Sequence, residues 1–253
     1  MFSKNQLKYY ANLNQKKYRV LEQKFLVEGQ KLIIEALHSK LNCEVILTTN
    51  SFRESNPSFF RNKFLNDIKI ELISHNDLER ISDTQTPQGI IGVFDIPKYK
   101  LQNLGKEKII IGLESIADPG NMGTIIRNCD WFGINYIITS TECAESYNPK
   151  VIRSSAGSVF HINVIEFENL YEELDQLKKS QYKIFVADLK GEDLYSFSNS
   201  DRTVIVFSNE AHGPSQELLN RADHILTIPR KGKAESLNVA SASAIILGEL
   251  SRK

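Results

Sequence analysis

The sequence predicts an α/β protein: a C-terminal half with a mostly parallel sheet covered by helices on both faces, preceded by a small α/β module. Three observations predict this. From residue 109 onward short apolar runs alternate with helical stretches, the pattern of strand–helix–strand units in a parallel sheet. Ile109–Glu114 is continuously apolar up to its last residue, as a strand buried on both faces should be. Between the halves, Asp95–Lys108 holds Pro97, Gly105 and several lysines with little periodicity, which suits a linker. The expected division is therefore 1–95, a linker over 96–108, and 109–253.

Taken in order, residues 3–40 read as helical. The periodicity is mixed from Leu13 to Phe25 and clearer in Ile33, Ile34 and Leu37. Strands follow at Glu44–Thr48, Lys69–Ile73 and Gly89–Phe94, the last after the turn signal Thr86-Pro-Gln-Gly89. A helix carrying Phe59, Phe60, Phe64 and Leu65 is expected between the first two. Beyond Ile109–Glu114, strands are expected at Tyr136–Ser140, His161–Ile165, Lys183–Asp188, Thr203–Ser208 and Ile225–Ile228. Helices are expected at Leu170–Ser180, Gln216–Arg221 and Val239–Ser251.

Composition bounds the function. The chain has 253 residues, 41% hydrophobic and 25% charged, as in soluble globular proteins with a full core. Cys43, Cys129 and Cys143 form no CxxC pair, which argues against a disulfide framework or zinc site and fits a reducing compartment. The first twenty residues lack the apolar core of a signal peptide, and no apolar run has the length of a membrane span. A cytoplasmic protein with no membrane partner and no metal is expected. Net charge is zero, but its distribution is uneven. Lys4, Lys8, Lys16, Lys17, Arg19, Lys24 and Lys31 crowd the opening segment, and Arg230, Lys231, Lys233, Arg252 and Lys253 the end. Such ends can hold nucleic-acid phosphates, or can simply be solvated helix faces.

Three stretches carry polar chemistry. Ala117–Gly133 is a glycine-bearing turn between a buried strand and a helix. Gly120 and Gly123 would let backbone approach a ligand. Arg127 lies about 200° around the helix from Ile125 and so points away from the apolar stripe. Neither dinucleotide nor P-loop spacing is present, so a nicotinamide-dependent oxidoreductase is disfavoured. Thr203–Ser215 is an apolar strand ending in Ser208-Asn209-Glu210, at the carboxyl end where ligands bind in open α/β sheets. Glu210 could equally brace a loop amide, and His212 has no partner in sequence. Ile225–Ala244 is a short strand, a basic loop, then Ser236 and Asn238 ahead of an Ala/Ser-rich helix. Both residues are also good helix N-caps. Small side chains at the helix start suit a crowded site or a tight helix–helix contact.

Together these stretches resemble the SpoU/TrmH family of the SPOUT superfamily. The residues that carry the resemblance are Asn121-Met-Gly-Thr-Ile-Ile-Arg127, Ser208-Asn209-Glu210, Ile228-Pro229 with Ser236-Leu-Asn-Val239, and Val151-Ile-Arg-Ser-Ser-Ala-Gly157. Lys24–Gln30 and Pro87–Ile90 look like the family's N-terminal substrate-binding module. Ser208 stands where the family usually has glycine, and Arg230 where methionine is frequent. The resemblance implies an S-adenosylmethionine-dependent RNA 2′-O-ribose methyltransferase, with ribosomal RNA favoured over transfer RNA. It also implies a homodimer and a trefoil knot through loops 208–213 and 228–238. By the same resemblance Ser208, Ile228 and Leu237 contact the cofactor, and Arg127, Asn121, Glu210, Ser236 and Asn238 form the catalytic set. A non-catalytic RNA-binding protein that retains the fold is the alternative.

Overall fold

The computed structural model describes residues 2–99, 107–196 and 202–252. Residues 100–106 of the expected linker, and Lys253 of the basic end, lie outside the described residues. Contacts divide the chain into two compact units: residues up to Lys98 together with Tyr147–Arg153, and Tyr99–Ser146 together with 154 onward.

The first unit opens with helices α1 (Lys4–Asn12) and α2 (Lys16–Glu22). Ser3 and Gln6 form a reciprocal capping box that starts α1. Gln23, in a left-handed conformation (φ 52°), ends α2. Strand β1 (Lys24–Glu28) comes next, then α3 (Gln30–His38), β2 (Cys43–Thr48), α4 (Asn50–Ser55), α5 (Pro57–Phe60), β3 (Lys69–Leu72), α6 (His75–Ile81) and β4 (Ile90–Asp95). The sheet order is β1-β4-β2-β3, with β4 antiparallel to both neighbours and β2 parallel to β3.

The structure corrects two expectations in this unit. Lys24–Glu28 is a strand, not part of a helical segment spanning 3–40. Phe25, Leu26 and Val27 are all buried, so period-2 alternation, the mark that would have separated strand from helix, is missing. The single helix expected around Phe59–Leu65 is broken into α5 and a 3-10 turn at Lys63–Leu65, which Asn62 caps.

The second unit holds β5 (Ile109–Glu114), α7 (Pro119–Trp131), β6 (Tyr136–Ser140), β7 (Asn163–Phe167), α9 (Leu170–Lys179), β8 (Lys183–Asp193), β9 (Thr203–Ser208), α10 (Gln216–Leu219), β10 (His224–Thr227) and α11 (Val239–Ser251). The short helix α8 (Pro149–Ser154) falls mainly in the first unit. The six strands run in the order β10-β8-β9-β5-β6-β7, and every pairing is parallel. On one face Ile110, Ile138, Ile184, Val204 and Val206 bury against Leu170, Leu174 and Leu177 of α9 and Leu218 of α10. The alternate residues Ile111, Leu113, Ile205 and Phe207 are buried on the other face, where α11 packs on α7 and reaches β9.

The ladder between β8 and β10 is irregular. Ile225 of β10 pairs with Val186 of β8, but the next residue, Leu226, pairs with Glu192. Residues 187–191 therefore leave the ladder, and the Thr227 hydroxyl ties them back by donating to the Leu189 carbonyl (3.1 Å). Gly191 closes the excursion where a Cβ would stand 2.3 Å from the Ile225 carbonyl oxygen. Gly191→Ala is expected to lower stability by roughly 1–3 kcal/mol in urea unfolding, because backbone must shift to admit the methyl. Gly232→Ala, which meets nothing within 4 Å, should be close to neutral.

Candidate functional site

The strand ends converge because of the sheet order. After β5 the chain turns outward toward β6 and β7, and after β9 it turns the opposite way toward β10. Loops leaving β5 and β9 thus part at the carboxyl edge, where open α/β sheets form ligand crevices. The backbone at Ser115 is left-handed (φ 56°), a costly conformation for a non-glycine residue. It is held from two sides: its amide donates to Ser140 Oγ (3.1 Å), and its carbonyl accepts from Asn209 Nδ2 (3.1 Å).

The next turn is built for a helix start. Asp118 caps α7 by accepting from the Asn121 amide (2.9 Å), and Pro119 occupies the first turn. A Cβ on Gly120 would meet Asp118 Oδ1 at 2.8 Å, so Gly120 makes room for the cap. The result is that Asn121 projects from the first turn of α7.

Asn121, Glu210 and Asn238 meet there. Asn121 Nδ2 donates to Glu210 Oε1 (2.5 Å), and Asn238 Nδ2 donates to Asn121 Oδ1 (2.9 Å) and to the same Glu210 oxygen (3.3 Å). Asn238 also caps α11, its Oδ1 accepting from the amides of Ala240 and Ser241. Capping and site-building are thus one role. Ser236 lies exposed in the same loop without a hydrogen-bond partner among the described residues.

Beside this triad opens a cleft of about 580 Å³. Its walls come from the excursion within β8 (Ala187–Leu189), the end of β9 and the loop 209–214, and the loop after β10 through Leu237. Ser208, Glu210, Ile228, Ser236 and Leu237 all line it, whereas Gly120 and Gly123 do not. Ser208 is buried and paired in register with Glu114. Arg230 shapes the basic loop by donating to the Ala234 carbonyl (3.1 Å). Arg127 is not on the wall. It is exposed on α7, without an ion pair or hydrogen bond among the described residues, one turn from Trp131, which is 84% exposed. On the buried side of α7, Asn128 donates to the Ala240 carbonyl and to Ser243 Oγ (both 2.9 Å). The Ala/Ser start of α11 therefore serves a close contact with α7.

Sequence reasoning missed two groups. Asp188 and Leu189 line the cleft from the β8 excursion. Asp188 ends an expected strand, and the carboxyl-edge rule applied there would have found it. Glu114 is the other, a carboxylate 5% exposed. It accepts from the Ser215 amide (3.1 Å), Ser215 Oγ (2.6 Å) and the Tyr171 hydroxyl (2.6 Å). Burial raises the Tyr171 phenol above its ordinary pKa, and the hydrogen bond to the Glu114 carboxylate adds to the shift. The Tyr171 proton is thus held, and Glu114 anchors the far end of the loop that forms one cleft wall. Its signal in the sequence was an acid closing an otherwise apolar buried strand. Among the described residues no three His, Cys, Asp or Glu side chains group as metal ligands, and no helix is long and apolar enough to cross a membrane.

Known proteins share both halves of the chain. Residues 108–248 match the model of the SpoU rRNA Methylase family, and residues 4–92 that of the MRM3-like substrate binding domain. The chain is 34% identical over 250 residues to the 23S rRNA (guanosine(2553)-2′-O)-methyltransferase RlmP of Bacillus subtilis, covering 98% of this chain and 97% of that one. A solved Porphyromonas gingivalis protein assigned to the TrmH family of RNA methyltransferases superimposes with a TM-score of 0.87 at 32% identity, covering 100% and 99% of the two chains. An AdoMet-bound rRNA methyltransferase from Sinorhizobium meliloti superimposes with a TM-score of 0.85 at 27% identity, covering 100% and 97%.

The Glu114 anchor yields a direct test. Glu114→Ala strands the Ser215 amide and is expected to cost roughly 2–4 kcal/mol of stability. Glu114→Gln, which keeps one acceptor oxygen, should cost less. Equal unfolding midpoints for wild type and Glu114→Ala would remove the anchor role.

Proposed function

The chain belongs to the SpoU rRNA methylase family, and on that premise we propose that it transfers a methyl group from S-adenosylmethionine to a ribose 2′-hydroxyl of ribosomal RNA. The observation that carries this is the carboxyl-edge cleft walled by residues 208–214 and 226–237 and tied to α7 through Asn121, Glu210 and Asn238. The guanosine named for the Bacillus subtilis relative is the first candidate target.

The cleft suits the cofactor. Its size is that of a small-molecule site, and Phe207, Leu226, Ile228, Leu237 and Ile246 give it apolar walls, with polar groups at Ser208 and along the loop backbone. Ser208, Ile228 and Leu237 are the residues we assign to cofactor contact. Bound there, the cofactor supplies a methyl on a sulfonium that is already a good leaving group. The chain's task is the other reactant, a hydroxyl that is a very weak acid and must be aligned and stripped of its proton. A guanidinium does not deprotonate in proteins, so Arg127 acts as a positive charge that stabilises the developing alkoxide and grips a neighbouring phosphate, while the hydroxyl proton passes to solvent water. Asn121, Ser236 and Asn238 orient the ribose and Arg127, and Glu210 holds the loops.

Arg127 stands off its own cleft wall, on an exposed helical face shared with Trp131. That placement supports a homodimer in which each copy lends its Arg127 to the cleft of the other. The loops 208–213 and 228–238 are assigned to a trefoil knot. Residues 1–95 are assigned to substrate binding and 96–108 to the linker, with the protein working in the cytoplasm.

Arg127→Ala is expected to bind S-adenosylmethionine with wild-type heat in calorimetry, yet to lose methyl transfer by about 100-fold or more. Mixing it with the cleft-filling variant Ser208→Trp should restore activity, because one site of each mixed dimer is intact. Normal turnover by Arg127→Ala would sink its assignment, absence of rescue would sink the shared site, and no heat from wild type would sink the enzyme reading itself.

A further inference from the structure

We propose that the face of the first unit carrying Phe64, Arg61 and Lys63 is a second RNA-contact surface, engaging a nucleotide of the substrate other than the methylated one. This rests on the reading of the chain as a ribosomal-RNA methyltransferase. The 3-10 turn Lys63–Leu65 puts Leu65 inside and Phe64 outside, 54% exposed. The ring of Phe64 meets His38, at the end of α3, edge-on at 4.8 Å. Nearby in sequence, Phe59 is buried and packs edge-to-face with Phe60 (5.0 Å) and Phe52 (6.3 Å), fixing the base of the segment. Phe64 is thus a rigidly mounted ring that contributes little to the core.

The same segment is basic. Arg53, Arg61 and Lys63 are exposed, against one carboxylate, Glu54, over residues 50–66. Lys40, two residues beyond His38, is exposed as well. None of these four cations has an ion pair among the described residues. Three other cations of the unit are engaged: Lys24 with Glu44 and Asp95, Lys69 with Glu71, and Arg153 with Asp83. An exposed ring flanked by unpaired cations is the chemistry that holds RNA, the ring stacking an unpaired base and the cations meeting phosphates. Phe64 receives the base, and Arg61 and Lys63 receive the adjoining phosphates.

The test is filter binding of the full-length protein to unmethylated 23S ribosomal RNA transcript over a range of salt. Phe64→Ala is expected to weaken binding about tenfold. Phe64→Tyr should restore it and Phe64→Leu should not, which separates stacking from packing. Arg61→Ser with Lys63→Ser should make the slope of log affinity against log salt shallower by about 1.5. S-adenosylmethionine affinity and the unfolding midpoint should stay at wild type throughout. Wild-type RNA affinity in Phe64→Ala and an unchanged salt slope in the double variant would overturn the proposal. Failure of the wild-type protein to bind ribosomal RNA would instead count against the functional reading on which it rests.

Discussion

The carboxylate of Glu210 accepts from Asn121 and Asn238, and Asn238 donates to Asn121 as well. Three segments far apart in sequence therefore share one hydrogen-bonded node: the first turn of α7, the loop after β9, and the start of α11. Each is also fixed by a further contact. Asp118 caps α7, Asn238 caps α11, and Glu114 clamps Ser215 where the β9 loop closes. The cleft depends on all of these constraints, because much of its wall is loop, residues 209–214 and 228–237, without ladder partners of its own. Removing the node would leave helices and sheet intact and the cleft undefined.

The two carboxylates divide the work. Glu114 is buried, fully engaged, and acts on the loop from beneath the sheet edge. Glu210 is exposed and, among the described residues, accepts from two neutral side-chain amides. The cations of that region, Arg127, Arg230, Lys231 and Lys233, are exposed, a distribution that can attract RNA although the chain as a whole is neutral.

Much of this was legible in the sequence. Ile109–Glu114 and Thr203–Ser208 read as buried strands because their apolar runs are unbroken, and Asn121, Glu210 and Asn238 stand where strand-to-helix turns carry polar residues. Their meeting was not legible from spacing, since it depends on β9 lying beside β5 in the sheet. The β8 excursion was hidden for a related reason: Lys183–Asp188 reads as an ordinary strand, and only its register against β10 shows residues 187–191 leaving it. Lys24–Glu28 was misread because a strand with three consecutive buried residues has no alternation to show. The direction of Arg127 away from the apolar stripe was legible from helical geometry, but its separation from the cleft wall was not.

Chemically, the site asks little of the leaving group and much of the nucleophile. The node offers amides and a carboxylate and, on α7, there is an exposed guanidinium. Such a set favours alignment and charge stabilisation of a ribose oxygen over attack by a nucleobase. The most direct measurement is the position of the methyl group after the purified protein acts on unmethylated 23S ribosomal RNA with labelled S-adenosylmethionine. The expected result is label in an alkali-resistant dinucleotide, the mark of a 2′-O-methylated ribose. Label on a base, or no label in ribosomal RNA, would contradict it.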